Sequence, residues 1–482
     1  MNRELKRVSL VIFVMFLSLF ISSTGIQVIS ADDLATDQRN VRSIYDSYKT
    51  QRGSILVDGK PIAESIPVDD VYRYNRVYSD EMYSSVTGFF SLYQGATGLE
   101  SATNSYLTGQ NSSQFFEQIN ALLSGTPVAG ASVELTIDPD VQKAAWDALG
   151  DKKGAVVAIN PTTGNILAMV SKPGFDANEL AVHDGATSNA NYKALIEDED
   201  GPLLNRAYSE LYAPGSVFKL VVAAAALESG EYTADSTFPN PSKYTLPGTS
   251  TVVMNSGEGK CGGAATVSIA DALRLSCNVP FAQLGIALKQ NRISSQAGLF
   301  GFSKNIEFPM TSVASVYPSG MDDAQTGLSA FGQFDVRVTP LQMAMVSAAI
   351  ANKGVLMQPN LIENVLTANL SVLHQPSPSV FSQPMSATTA KSMTEMMVGA
   401  VSNGVSGNAR ISGVEVAGKT GTAQNGTDQP YTLWFTGFAP ANNPQVAVAV
   451  VIADGGGLGQ SGRGNSLAAP VAKKVMQAVL KK

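Results

Sequence analysis

Hydrophobic positions along this chain change their spacing several times, and each change predicts a different element. Val8 to Ser30 is an uncharged, mostly apolar run, long enough to span a bilayer as a helix. From about residue 36 to 130, polar, aromatic and glycine-rich segments alternate without strong periodicity, as in Arg52-Gly53-Ser54-Ile55 and Thr87 to Glu100, which predicts a smaller, irregular domain. The pattern sharpens at Ser132. Val133 to Ile137 alternates as a strand does, Asp138-Pro139 marks a helix start, and Val141 to Leu149 has helical spacing. Gly154 to Asn160 and Asn165 to Val170 flank Pro161-Thr162-Thr163-Gly164 and predict a hairpin.

Further on, helices are expected from Ser216, over Thr266 to Leu275, Leu341 to Asn352 and Thr388 to Val401, and from about Ser466 to Lys482. Strands are expected at Val414 to Ala417, Leu433 to Ala439 and Val446 to Ala453. Hairpin strands at both ends with helices between them imply an α+β class: an antiparallel β-sheet flanked by helices. The chain divides into residues 1–31, 32–130 and 131–482, with no internal repeat.

Composition narrows the function. At 482 residues and 44% hydrophobic the chain can bury a sizeable core, and its formal net charge of -7 leaves no basic stripe for nucleic acid beyond the N-terminus. Two histidines, His183 and His374, and two cysteines supply no zinc spacing, so neither a metal nor a cofactor is expected. Arg3, Lys6 and Arg7 precede the apolar run and Asp32 and Asp33 follow it, which by the positive-inside rule leaves the remainder outside the cytoplasm. A signal peptide cut near Ala31 is the competing reading, and Ile29 fits its cleavage site poorly. Export permits a disulfide. Cys261 and Cys277 are the only pair available, either bridged or as two buried thiols.

The stretch richest in chemistry is Ser216-Val217-Phe218-Lys219, which follows Pro214-Gly215 and precedes the apolar run Leu220 to Leu227. A serine three residues before a lysine on a helix shares a face with it, so hydroxyl and amine can meet across one turn. A capping role would explain Ser216 but not Lys219, because a capping box puts Glu or Gln there and a first-turn cation opposes the helix dipole. No other Ser-x-x-Lys occurs. With histidine so scarce, lysine is the better candidate base.

Ser276-Cys277-Asn278 falls at the end of a predicted helix, and Lys419-Thr420-Gly421 follows a predicted strand and continues into Thr422-Ala423-Gln424. Each is weak alone. Together, in this order and preceded by Asn205-Arg206-Ala207, they resemble the penicillin-binding proteins and serine β-lactamases. The resemblance is closest to class B, monofunctional penicillin-binding proteins of the actinobacterial penicillin-binding protein A type, and it covers nearly the whole chain. Val338 to Ala344 and Trp434 to Pro440 carry it too, and Arg52-Gly53, Gly88, Gly98 and Glu100 are similar to that family's pedestal motifs. One departure is Gly332-Gln333-Phe334, where relatives usually read Gly-Gln-Gly or Gly-Gln-Ser, which leaves that loop's shape open.

Two nucleotide motifs are discounted. Gly413 to Thr420 satisfies a Walker A pattern, but its interior alternates like a strand and Gln424 to Pro430 is turn-like where a helix is required. Gly457 to Gly462 matches a dinucleotide fingerprint with no following strand to complete the unit, and reads instead as a loop before the closing helix.

The resemblance implies a transmembrane anchor with a short cytoplasmic tail over 1–31, a pedestal domain over 32–130 and a transpeptidase domain over 131–482. It also implies roles. Ser216 forms an acyl-enzyme and Lys219, neutralised by partial burial, the helix N-terminus and nearby positive charge such as that of Lys419, takes its proton. Ser276 relays a proton to the leaving amine, and Asn278 holds the substrate backbone and Lys219. Lys419 and Thr420 bind the donor's terminal carboxylate, and Gly421 leaves room for the peptide to lie as an added strand. The backbone N–H groups of Ser216 and Thr422 form the oxyanion hole. The implied donor is a peptidoglycan stem peptide ending in D-Ala-D-Ala, with β-lactams as covalent mimics and a membrane glycosyltransferase and divisome proteins as partners. A D,D-carboxypeptidase or serine β-lactamase on the same site is the alternative within this chemistry. A non-catalytic cell-division scaffold or β-lactam sensor is the alternative outside it.

Overall fold

The computed structural model describes residues 2–30, 34, 50–114, 119, 123–124, 129–256 and 259–481. Helix α1, Asn2–Thr24, continues as a π-turn to Ile29 and is long and apolar enough to cross a membrane. The expected acidic flank of Asp32 and Asp33, and the alternative cut near Ala31, lie outside the described residues.

In chain order the elements that shape the molecule are β1 (Ile55–Val57), β2 (Lys60–Pro67), β3 (Tyr74–Tyr78), β4 (Ser132–Leu135), α2 (Pro139–Leu149), β5 (Gly154–Ile159) and β6 (Ile166–Lys172). Then come α3 (Lys219–Glu228), α4 (Ile269–Arg274), α5 (Val279–Leu299), α6 (Pro340–Ala351), β7 (Ile362–Leu366), β8 (Val372–His374) and α7 (Ala387–Ser402). The last are β9 (Ala417–Ala423), β10 (Thr432–Ala439), β11 (Val446–Ile452) and α8 (Gly464–Leu480).

The expected hairpins form one antiparallel sheet, ordered β9-β10-β11-β5-β6, with Lys419, Thr436, Ala449, Val157 and Met169 in register across it. Both faces are covered, so its inner strands show no alternation of buried and exposed positions: every residue of β5, β10 and β11 is buried. One face packs on α2 and α8 through Val141, Ala145, Leu149, Val471 and Val475, and the other meets the larger core that holds α3, α5 and α6. This is the α+β arrangement the pattern predicted. It leaves β9, which carries the Lys-Thr-Gly motif, on an open edge.

Two expected elements are corrected. Val414 to Ala417 is not a strand ahead of the motif: Gly413 at φ 76° and a Val414 N–H bond to Ile411 O form a turn, and the strand starts at Ala417 and runs through the motif itself. Thr266 to Leu275 is not one helix, because Thr266–Ser268 pairs as a strand with Thr237–Pro239. The Ser268 hydroxyl then caps α4 by accepting from Asp271 N–H.

The second sheet, ordered β8-β7-β4-β1-β2-β3, joins strands from far-separated parts of the chain. β4 pairs in parallel with β1 and antiparallel with β7. Beside it Arg52, Arg76 and Tyr78 meet around Glu100. That carboxylate takes Arg52 Nε and Arg76 Nε at 2.6 Å each and the Tyr78 hydroxyl at 3.2 Å, all buried. Burial works against its charge, but Arg76 and Arg52 hold it below the usual carboxylate range. A Cβ on Gly53 would lie 1.9 Å from Ala131 O, and one on Gly98 would lie 2.6 Å from Gly88 N. Those glycines are required by close backbone approach.

Candidate active site

Ser216 lies in a single 3-10 turn, Gly215–Phe218, that feeds α3. Ser216 sits inside the turn, whose N-cap is Pro214, while Phe218 precedes α3, so it occupies neither cap position; its half-buried side chain opens into a surface cleft. The turn presses on the edge strand: a Cβ on Gly215, at φ 54°, would lie 3.0 Å from Thr422 O, and one on Gly332 would lie 2.0 Å from Gly215 O. Gly332 is therefore the residue in the divergent loop that sets its approach, and Phe334 follows it at φ 59°.

Lys219 begins α3 and is fully buried. Its Nζ donates to Ser276 O and to Asn278 Oδ1, each at 2.9 Å, and lies 3.5 Å from Ser276 Oγ. No hydrogen bond joins it to Ser216 Oγ in this conformation; the two side chains share one helical turn, and such contacts tighten in the substrate complex. A neutral amine has two N–H bonds and a lone pair. With both bonds directed at those carbonyl oxygens, the lone pair is left to accept a proton.

Lys419 enters from β9, also fully buried, with Nζ 2.8 Å from Ser276 Oγ and 2.9 Å from Thr420 O. Neither lysine has an ion-pair partner among the described residues. Burial, and then the charge on Lys419, hold the Lys219 amine well below the ordinary lysine range, and burial brings Lys419 down to about 7. Of the three causes expected to neutralise Lys219, burial and the Lys419 charge fit these directions, and the helix N-terminus is not among their causes. Ser276 Oγ bridges the two amines and can pass a proton between them.

Ser276 holds φ 60°, a left-handed conformation that costs a non-glycine residue about 1–2 kcal/mol. Its neighbours enforce it. Cys277, the middle residue of the motif, is bonded to Cys261, so the open question over that pair resolves to a bridge. Asn255, nearly buried, accepts at Oδ1 from Asn278 N–H at 2.9 Å and Val279 N–H at 3.0 Å, capping α5 from a distant loop. Asn278 Nδ2 donates to Met254 O at 3.1 Å. Asn255 was invisible in the sequence, because the two backbone N–H groups it accepts from lie more than twenty positions away and no local pattern marks it.

The edge strand divides the remaining candidates. Thr422 lines the cleft and accepts at Oγ1 from Gly464 N–H at 3.2 Å. Thr420 is buried, 3.1 Å from Ser406 Oγ, and is absent from the cleft lining. Gly421 makes room for the turn that holds Ser216: a Cβ there would lie 2.8 Å from Pro214 O and 3.2 Å from Val217 Cγ1. The Walker-like segment is thus a turn and a strand with no helix after Thr420.

An α+β core presenting serine, two buried lysines and a free strand edge defines a serine acyl-transfer enzyme, and comparison with known proteins agrees. A model of the penicillin binding protein transpeptidase domain matches residues 154–477, and one of the penicillin binding protein A dimerisation domain matches 52–133. The chain belongs to the penicillin-binding protein transpeptidase family. It is 39% identical to the peptidoglycan D,D-transpeptidase PbpA of Mycolicibacterium smegmatis, over 100% of this chain and 99% of that one. It is 38% identical to the protein of that name from Mycobacterium tuberculosis over the same shares. The solved imipenem acyl-enzyme complex of penicillin-binding protein A from M. tuberculosis superposes with a TM-score of 0.85 at 37% identity, covering 90% of this chain and all of that one.

Proposed function

We propose that the protein is a membrane-anchored peptidoglycan D,D-transpeptidase that works through an acyl-enzyme on Ser216 and is blocked when β-lactams acylate the same oxygen. The observation that carries this is the Lys219–Ser276–Lys419 network beside Ser216, with Ser276 Oγ between two buried amines. Ser216 Oγ attacks the carbonyl of the penultimate D-Ala of a stem peptide, and its proton passes to the Lys219 lone pair. The N–H groups of Ser216 and Thr422 take the oxyanion. Collapse breaks the amide, and Ser276 hands a proton to the departing D-Ala amine, replenished from the lysines. An acceptor amine then attacks the ester, loses its proton to Lys219 and frees Ser216.

In this reading Thr422, assisted by Lys419 and Thr420, holds the donor's terminal carboxylate, and Asn278 holds the peptide backbone. Helix α1 anchors the chain with its N-terminus in the cytoplasm, residues 32–130 act as a pedestal and 131–482 as the catalytic domain. The family models over 52–133 and 154–477 support that division. A membrane glycosyltransferase and divisome proteins are the partners such a position serves.

The test incubates detergent-solubilised protein with labelled penicillin and maps the adduct by mass spectrometry. Label on the peptide containing Ser216, absent in Ser216→Ala, is expected. Label elsewhere, or unchanged in that variant, would overturn the assignment.

A further inference from the structure

Among the described residues lining the cleft, which include Ser216, Asn278, Thr422, Gln424 and Tyr431, Arg463 is the single charged side chain. It comes from the turn before α8, where the next residue, Gly464, is bonded to Thr422. Its Nη1 donates to Gln460 O at 2.7 Å and Gly462 O at 2.8 Å, and its guanidinium lies 5.7 Å from the Tyr431 ring centre. Those contacts orient the group. Its other nitrogens make no hydrogen bond among the described residues, and no carboxylate pairs with it there.

We infer that Arg463 is a specificity-determining residue that selects donor peptides bearing a second carboxylate on the N-terminal side of the scissile bond. The inference rests on the acyl-transfer reading above. A donor whose scissile carbonyl sits at Ser216 and the Thr422 N–H extends upstream along the end of β9 toward Gln424, about 7 Å at about 3.3 Å per residue, within the cleft that Tyr431 and Arg463 also line. Lys419, near 7 and bonded to Ser276 and Thr420, is committed to chemistry. The planar guanidinium fork of Arg463 matches a carboxylate.

The experiment measures second-order acylation constants of the full chain in detergent micelles for benzylpenicillin and for carbenicillin, which adds one carboxylate to the acyl side chain. In Arg463→Gln the carbenicillin-to-benzylpenicillin ratio should fall about fivefold, and in Arg463→Lys by less. The wild-type ratio should also fall between about 0.05 and 0.5 M salt, whereas that of the Gln variant stays level. A ratio that ignores both the substitution and the salt overturns the role of Arg463 while leaving acylation of Ser216 intact. Absence of acylation by either drug in the wild type overturns the underlying reading and this inference with it.

Discussion

A lysine in the first turn of a helix and a second lysine one hydroxyl away conflict with ordinary electrostatics, and both conflicts point to function. On the proposed mechanism the two amines need opposite states: Lys219 neutral to accept a proton, Lys419 charged to hold the donor's carboxylate and to supply the proton that Ser276 passes on. The neutral fraction of Lys219 grows as pH rises, and the charge on Lys419 disappears as pH rises through about 7. Acylation of Ser216 should therefore be bell-shaped in pH, declining above neutrality, and Lys419→Arg should move the decline to higher pH. Stopped-flow acylation from about pH 5 to 10 reads this, and a rate still climbing past pH 9 would contradict it. These residues were legible because their chemistry is local: Ser216 and Lys219 share a turn, and Ser276 with Asn278 and Lys419 with Thr420 sit within single motifs. The roles of Thr420 and Gly421 were less so. Which way a strand residue faces depends on what packs against the strand, here Ser406 and the Pro214 turn.

At the scale of elements, the site is a meeting of three backbones that have no sequence proximity. The turn before α3, the loop between α4 and α5 and the edge strand β9 are each fixed by contacts from elsewhere: Gly332 against Gly215, Asn255 and Cys261 against the Ser276 loop, Gly464 against Thr422. Long-range partners such as these leave no periodic trace, which is why the elements were readable and their supports were not. The misplaced strand start at Val414 has the same origin, since alternating Val414 and Val416 fit a packed turn as well as a strand. Asn255→Ala removes the acceptor for two backbone N–H groups and loosens Asn278, hence the partner of Lys219. Its acylation constant should drop about tenfold or more with label still confined to Ser216, and its pH optimum should shift as the amine loses its fixed partner. Asn255→Asp, which keeps the acceptor, should recover part of the backbone support.

For the molecule as a whole, stability and site are held by separate devices. The Glu100 cluster lies in the N-terminal unit, and Glu100→Ala would leave two buried guanidinium groups without their shared anion. A loss of about 3–5 kcal/mol is expected, seen as a lowered first melting transition by calorimetry, while protein that remains folded still acylates Ser216. The sequence divided the chain near residue 130, yet the six-stranded sheet crosses that point: β4 and the much later β7 complete what β1 begins. A chain emerging N-terminus first must therefore expose one raw edge of β4 until residue 366 has been made. The N-terminal unit, although encoded early, completes its sheet only when β7 has been synthesised, and an unpaired strand edge is a site for mispairing during that delay.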